Sequence, residues 1–247
     1  MIPNLKSELE SLVPRVQQSP WPGHEHVRGY GVFGLPLSSG HTLALRVFPV
    51  NDFAPYITIW HRTPEGKWTI CFDAVRSDVA CPRYYGPAVD HILATRISLE
   101  WLSAAVLRIR MDEPKLEWTV FMHEPLYLRL LNAVSKHMPF WTWKNPALLK
   151  LREGMAQLMG LGKIKLAGYM PSGHFGILMP QRMYFIDHAR VELDGKDLGH
   201  PVRVHPNPKI GDVPLPARGI FAIGEAHWEI RDVAEYRQTR LAAATQP

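Results

Sequence analysis

YITIWHRTPEGKWTICFD, Tyr56 to Asp73, decides the fold. Two runs rich in Ile, Thr, Trp and Phe, Tyr56 to Arg62 and Lys67 to Asp73, flank Thr63-Pro64-Glu65-Gly66. Proline fixes φ there and glycine supplies the backbone freedom of a tight turn, so the stretch predicts a β-hairpin. Both strands carry apolar residues on both faces, which predicts burial on two sides.

Outward from the hairpin the same pattern recurs. Gly29 to Leu35 and His41 to Phe48 read as strands joined by Pro36-Leu37-Ser38-Ser39-Gly40, and Leu43, Leu45 and Val47 alternate with Thr42, Ala44 and Arg46. Downstream, Ile92 to Trp101, Ala104 to Met111 and Lys115 to Met122 read as three more strands. In the first, Leu93, Ile97, Leu99 and Trp101 face one way and Arg96, Ser98 and Glu100 the other; in the third, Leu116, Trp118, Val120 and Met122 oppose Lys115, Glu117 and Thr119. Trp60, Trp68, Trp101 and Trp118 are read as one aromatic wall lining a cavity or core.

The period then changes. Leu126, Leu130, Ala133, Val134 and His137 recur at helical spacing, and Asn145-Pro146 opens a second helix as N-cap and first helical residue, ending at Gly160 or Gly162. Pro139 to Trp143 is an aromatic connector between them. From Lys163 strands return at Lys163 to Met170, Phe175 to Pro180, Met183 to His188 and Gly219 to Arg231. The expected organisation is a single domain over 1–247. It has an N-terminal helical segment (1–20), a first β-block (28–123), a helical insertion (126–162), a second β-block (163–231) and a frayed tail (232–247). This order excludes the strand-helix rhythm of Rossmann and TIM folds. The fold class is mainly β: a lipocalin-like antiparallel β-barrel, or two packed β-sheets, with a helical insertion.

Composition narrows the function classes. The 247 residues are 46% hydrophobic and 21% charged, ordinary globular usage. The net charge is +5, but the bases are scattered among acids, as in Arg108 to Glu113, which argues against nucleic acid. No run is long enough to span a membrane, and the chain does not open like a signal peptide, so a cytoplasmic address is expected. Cys71 and Cys81 are too few for a disulfide scaffold or a structural zinc site. No cofactor and no metal is assigned, and a homo-oligomer is left open.

Chemistry has no decisive motif: no Gly-x-Ser-x-Gly, no His-Glu-x-x-His and no phosphate loop. His24 and His26 share one face of an extended segment and need a distant partner to ligate a metal, so they are read as surface or structural residues. Cys81-Pro82-Arg83-Tyr84-Tyr85-Gly86 is the densest polar and aromatic segment, in a loop between strands. There Arg83 either orients a polar ligand end or pairs with Asp73 or Asp78. Arg96, Glu100, Arg108, Arg110 and Glu117 are either surface ion pairs or, if that face is interior, a polar cavity. Glu225 and His227 project to one face.

Tyr56 to Asp73, Ile97 to Trp101, Gly168 to Gly173 and Asp194 to Gly199 together resemble the organisation of the lipocalin-like carotenoid hydratases and their cyclase relatives. The resemblance implies a hydrophobic substrate handled by proton transfer or conformational shaping. The expected function is a cofactor-independent enzyme, lyase or isomerase, acting on a terpenoid, polyene or polyketide-like molecule by hydration, isomerisation or cyclisation in a barrel cavity. Asp73, Tyr84, Glu100 and His227 are the candidate proton-transfer residues; Arg83, Tyr85, Trp60, Trp68, Trp101 and Trp118 would bind substrate. A non-catalytic carrier of an apolar ligand, and a protein-interaction module using Phe140 to Trp143, are the alternatives.

Overall fold

The computed structural model describes residues 4–245; Met1 to Pro3, Gln246 and Pro247, which include the chain's opening and the end of the expected tail, lie outside the described residues. Ten strands build one sheet: β1 (His24–Pro36), β2 (Thr42–Asn51), β3 (Tyr56–Arg62), β4 (Trp68–Asp73), β5 (His91–Ala94), β6 (Ile97–Ser103), β7 (Val106–Met111), β8 (Leu116–His123), β9 (Phe175–Leu193) and β10 (Ile220–Glu229). Their spatial order is β5-β4-β3-β2-β1-β10-β9-β8-β7-β6, and all neighbours are antiparallel except β4 and β5. The sheet curls into a half-barrel. Short strands at Arg15–Val16, Ala167–Tyr169 and Lys196–Asp197 pair off this path, and a separate ribbon joins Lys209–Ile210 to Val213–Pro214.

The opening hairpin forms as its sequence dictates. Trp60 faces Ile70 across β3 and β4, and the turn closes with Gly66 N donating to Thr63 O at 3.0 Å, Gly66 taking a φ of 93°. Every residue of β2 is buried. Leu43, Leu45 and Val47 enter the concave core while Ala44 and Phe48 pack on the convex side. The sheet is therefore covered on both faces.

On the concave side Trp101, Trp118, Phe221, Leu107 and Ile109 interdigitate, and Leu5 and Leu9 of α1 (Leu5–Glu10) close one end. This is a filled core, so Trp101 and Trp118 do not line a ligand cavity. The convex side is covered by the segment from Ala74 to Asp90, which carries α2 (Pro82–Tyr85), and by the insertion with α3 (Leu126–Ser135) and α4 (Pro146–Ala156). A parallel β4–β5 pair requires a crossover of this kind, because a tight turn joins only antiparallel strands. Asn145 caps α4, its side chain accepting from Ala147 N and Leu148 N, and the chain leaves the helical path at Gly160 (φ 81°).

Several expectations need correction. Ile92 to Trp101 is two strands on opposite edges of the sheet, because Thr95-Arg96 carries the chain across the gap of the half-barrel. Thr95 N donates to Phe72 O (3.0 Å) on one side and Asp112 N to Arg96 O (3.3 Å) on the other. Leu93 is consequently exposed. Phe175 to Pro180 and Met183 to His188 are one 19-residue strand, kept continuous by a bulge between Pro180 and Arg182. Of Lys163 to Met170 only Ala167–Tyr169 is strand. Within 1–20 the helix is short, and Arg15–Val16 instead pairs with Val50 and Asn51. The expected frayed tail forms α5 (Val233–Ala244), started by Asp232, whose side chain accepts from Ala234 N and Glu235 N, and held by Tyr236 packing 5.5 Å from Phe53. Its weak amphipathic pattern hid it. Among the described residues no helix is long and apolar enough to cross a membrane.

The packing makes a clear stability contrast. Trp118 is 0% exposed, so Trp118→Ala should cost about 3–5 kcal/mol in urea unfolding. Glu117→Ala, one residue away on the solvated face, should change stability by less than about 1 kcal/mol.

Candidate functional site

The convex face holds a chamber built around Arg46. The β1–β2 pairing has no matched residues between Tyr30 and Leu35, where its register shifts. Arg46 of β2 reaches into that gap: Nη1 donates to Val32 O (2.6 Å) and Leu45 O (3.0 Å), and Nη2 to Phe33 O (3.2 Å). Its guanidinium lies 4.3 Å from the Phe33 ring centroid and 4.8 Å from that of Trp60. A guanidinium has five N–H donors. Three are spent, and the Nε–H and one Nη2 proton have no partner among the described residues. Arg46 is only 8% exposed, yet the groups that face it are Cys81, Tyr85 and Tyr56 rather than a carboxylate. Burial accordingly pushes Arg46 below its ordinary value.

A void of about 60 Å³ lies beside Arg46, and a second of about 30 Å³ shares Phe33, Arg46, Trp60, Tyr85 and Leu178 with it and extends to Cys81 and Trp228. A surface groove of about 290 Å³, opening near Tyr169 and Asp212, shares Lys165, Leu166, Leu178, Val213 and Pro214 with the first. The three lie side by side and share largely apolar walls, in a series that runs from the surface groove to the buried cation. The inner groups along this path are donors. Burial pushes the Cys81 thiol and the Tyr85 phenol up, so both stay protonated at neutral pH.

The inner wall depends on a second cluster. Glu25 of β1, 0% exposed, accepts from Arg83 Nε (2.9 Å) and Nη2 (2.7 Å) and from the Tyr84 hydroxyl (2.5 Å). Arg83 Nη1 continues to Glu235 of α5 at 3.0 Å. Tyr84 stacks on Trp228 at 3.8 Å, and Tyr85 packs on Trp60 at 4.5 Å. Burial, then the Glu25 charge, holds the Tyr84 phenol well above its usual range. These contacts clamp α2 to the sheet, and Arg83 is committed to carboxylates instead of facing the chamber.

The other sequence-selected residues scatter. Asp73 Oδ2 accepts from Ile97 N (2.9 Å) at the sheet's crossing point. Glu100 forms exposed ion pairs with Arg108 (3.2 Å) and Arg110 (3.5 Å), and Glu117 pairs with Arg110 (3.0 Å), so that face is solvated. Asp78 pairs with Arg76, not Arg83. Trp68 is buried with its Nε1 on Lys209 O (2.7 Å), away from the chamber. Of the substrate-binding set, Trp60 and Tyr85 line the path. His227 lies on the opposite face of β10, beside His26 and Glu225. The Phe140 to Trp143 connector is no open aromatic patch: Phe140 packs 4.5 Å from Trp21, Trp143 is buried, and Trp141 alone is exposed.

Sequence reasoning missed Arg46, placing it on the polar side of an alternating strand. Its signal was a lone charged residue in a strand whose neighbouring positions on that face, Ala44 and Phe48, are apolar. Comparison with protein-family models, with curated proteins and with solved structures returned no match.

Two outcomes test this geometry. Glu25→Ala leaves buried Arg83 with only the exposed Glu235 as partner and the Tyr84 hydroxyl without its acceptor, and should cost about 3–5 kcal/mol in urea unfolding. Burial pushes Cys71 up to about 11 and Cys81 in the same direction, so neither thiol should react with Ellman's reagent at pH 8 in the native protein. Both should react once the chain is denatured.

Proposed function

We propose that this protein binds an apolar small molecule with an anionic end, the anion held by Arg46 and the chain lying along the path past Trp60, Tyr85 and Leu178. The observation that carries this reading is a nearly fully buried guanidinium with two unspent donors and no carboxylate partner, at the inner end of an apolar path. A buried charge is costly unless paired, and an incoming carboxylate supplies the missing partner in a bidentate geometry suited to arginine. The voids are small against typical ligand pockets of about 300–1,000 Å³, so the fit favours a medium-length chain with its tail in the outer groove. The resemblance to carotenoid hydratases and cyclases supports an apolar ligand as well.

A reaction on that ligand, hydration, isomerisation or cyclisation, is the second reading. The Cys81 thiol and the Tyr85 phenol favour it, since both are protonated donors bordering the void at Arg46.

The test compares a medium-chain fatty acid with the alcohol of the same length, read by tryptophan fluorescence and calorimetry on the wild-type protein. A hydrogen-bonded charge is worth about 1.5–3 kcal/mol, so the acid should bind about 10–100 times more tightly. Arg46→Lys, which keeps the charge but not the fork, should remove most of that difference. Equal affinity for acid and alcohol, or binding of neither, overturns the reading.

A further inference from the structure

A second site stands on the other face of β10. Antiparallel pairing sets His26 of β1 directly opposite His227 of β10, and Glu225, two residues back along β10, projects to the same side. His26 is 2% and His227 0% exposed. The Glu225 Oε2 atom sits 3.4 Å from Nε2 of each imidazole, and the three donor atoms all lie within 4.8 Å of one another. Neither Nε2 makes a hydrogen bond among the described residues. Two deeply buried ring nitrogens thus lie beside one carboxylate oxygen without the alignment a hydrogen bond needs.

We propose that His26, Glu225 and His227 bind a single divalent transition-metal ion. The donor set, two imidazole nitrogens and one carboxylate oxygen, matches what zinc and its first-row neighbours prefer. Bonds of about 2.0–2.1 Å at a tetrahedral angle separate donors by about 3.3 Å, close to the two nitrogen–oxygen distances here. The two rings stack with centroids 4.8 Å apart, so ligation requires them to turn toward each other about the shared carboxylate oxygen.

The surroundings have the form of a supporting shell. Ser19 Oγ lies 3.2 Å from His227 Nδ1 and accepts from Trp21 N at 3.0 Å. With Nδ1–H donating to Ser19, the lone pair of His227 is on Nε2, facing Glu225. A metal-bound histidine is oriented by its other nitrogen in this way. The second carboxylate oxygen, Glu225 Oε1, is held by Gln181 Nε2 (3.4 Å) and faces Arg28 Nε (3.9 Å), leaving Oε2 for the metal. Trp21 packs 4.3 Å and Phe140 5.4 Å from the His227 ring, shielding the site from bulk water.

The two imidazoles lie on the opposite face of β10 from the Arg46 chamber, and Glu225 borders both neighbourhoods. The competing arrangement is a plain ion pair, in which one imidazole carries a proton and Glu225 neutralises it. The whole chain, stripped with a chelator, is titrated with Co²⁺ and followed by visible absorption, then with Zn²⁺ by calorimetry. One equivalent should bind, and Co²⁺ should produce hyperfine-shifted, exchangeable proton signals from two imidazole rings in the wild-type protein, a readout that needs no variant. His26→Gln and His227→Gln should each weaken binding by at least about tenfold, and Ser19→Ala by about tenfold. His61→Gln, which removes one member of the partly exposed His41–His61 pair, should leave that equivalent intact. No binding to the wild-type chain overturns the proposal in favour of the ion pair. Binding lost in His61→Gln but kept in His26→Gln overturns it in favour of the partly exposed pair.

Discussion

The carboxylate of Glu25 and the guanidinium of Arg83, fifty-eight residues apart in sequence, meet in the dry space over the convex sheet, and much else hangs on that contact. A charge at 0% exposure is tolerable only with its partner in place, so the crossover cannot drift from the sheet without stranding an ion. Holding α2 there sets Tyr84 on Trp228 and Tyr85 on Trp60, and Cys81, just before the helix, reaches Thr58 at 3.3 Å. Glu235 adds a second carboxylate and a third element, which ties α5 to the same clamp. The chamber beside Arg46 is thus walled by an electrostatic contact that lies outside it.

β10 then serves two neighbourhoods through nothing more than strand alternation. Ala226 and Trp228 join the convex cluster, while Glu225 and His227 turn to the face they share with Phe221 and Ile223. A one-residue slip of β10 would exchange the two sets and destroy both sites at once. Its pairing with β1 and β9 runs nearly its whole length, which fixes that register.

What the sequence makes legible is local. The Thr63 to Gly66 turn, the Asn145 cap and the alternation through Trp118 each depend on neighbours within a few residues, and each appears as read. The face relation of Glu225 and His227 was equally legible, and so was the need of His26 for a distant partner; which partner it meets was not, because pairing of β1 with β10 joins opposite ends of the chain. Arg46 shows the same limit. Its alternation placed it correctly opposite Leu45 and Val47, but whether that side is wet depends on a crossover and an insertion encoded elsewhere. Arg83 was expected to orient a ligand's polar end or to meet Asp73 or Asp78, and instead meets acids from β1 and α5. The break at Thr95-Arg96 escaped notice because apolar alternation continues through it while the pairing partner changes.

That break has a consequence for how the molecule is made. The outermost strands, β5 and β6, are consecutive in the chain, whereas β10 and β9, which join the two meanders between β1 and β8, come from its C-terminal half. During synthesis the ribosome delivers two meanders whose inner edges, β1 and β8, have no neighbour until residues beyond 175 emerge. Such unpaired edges are templates for the wrong strand. The nascent protein therefore carries a liability to aggregation in the middle of its future sheet, and the last of these ten strands to emerge are the ones that remove it.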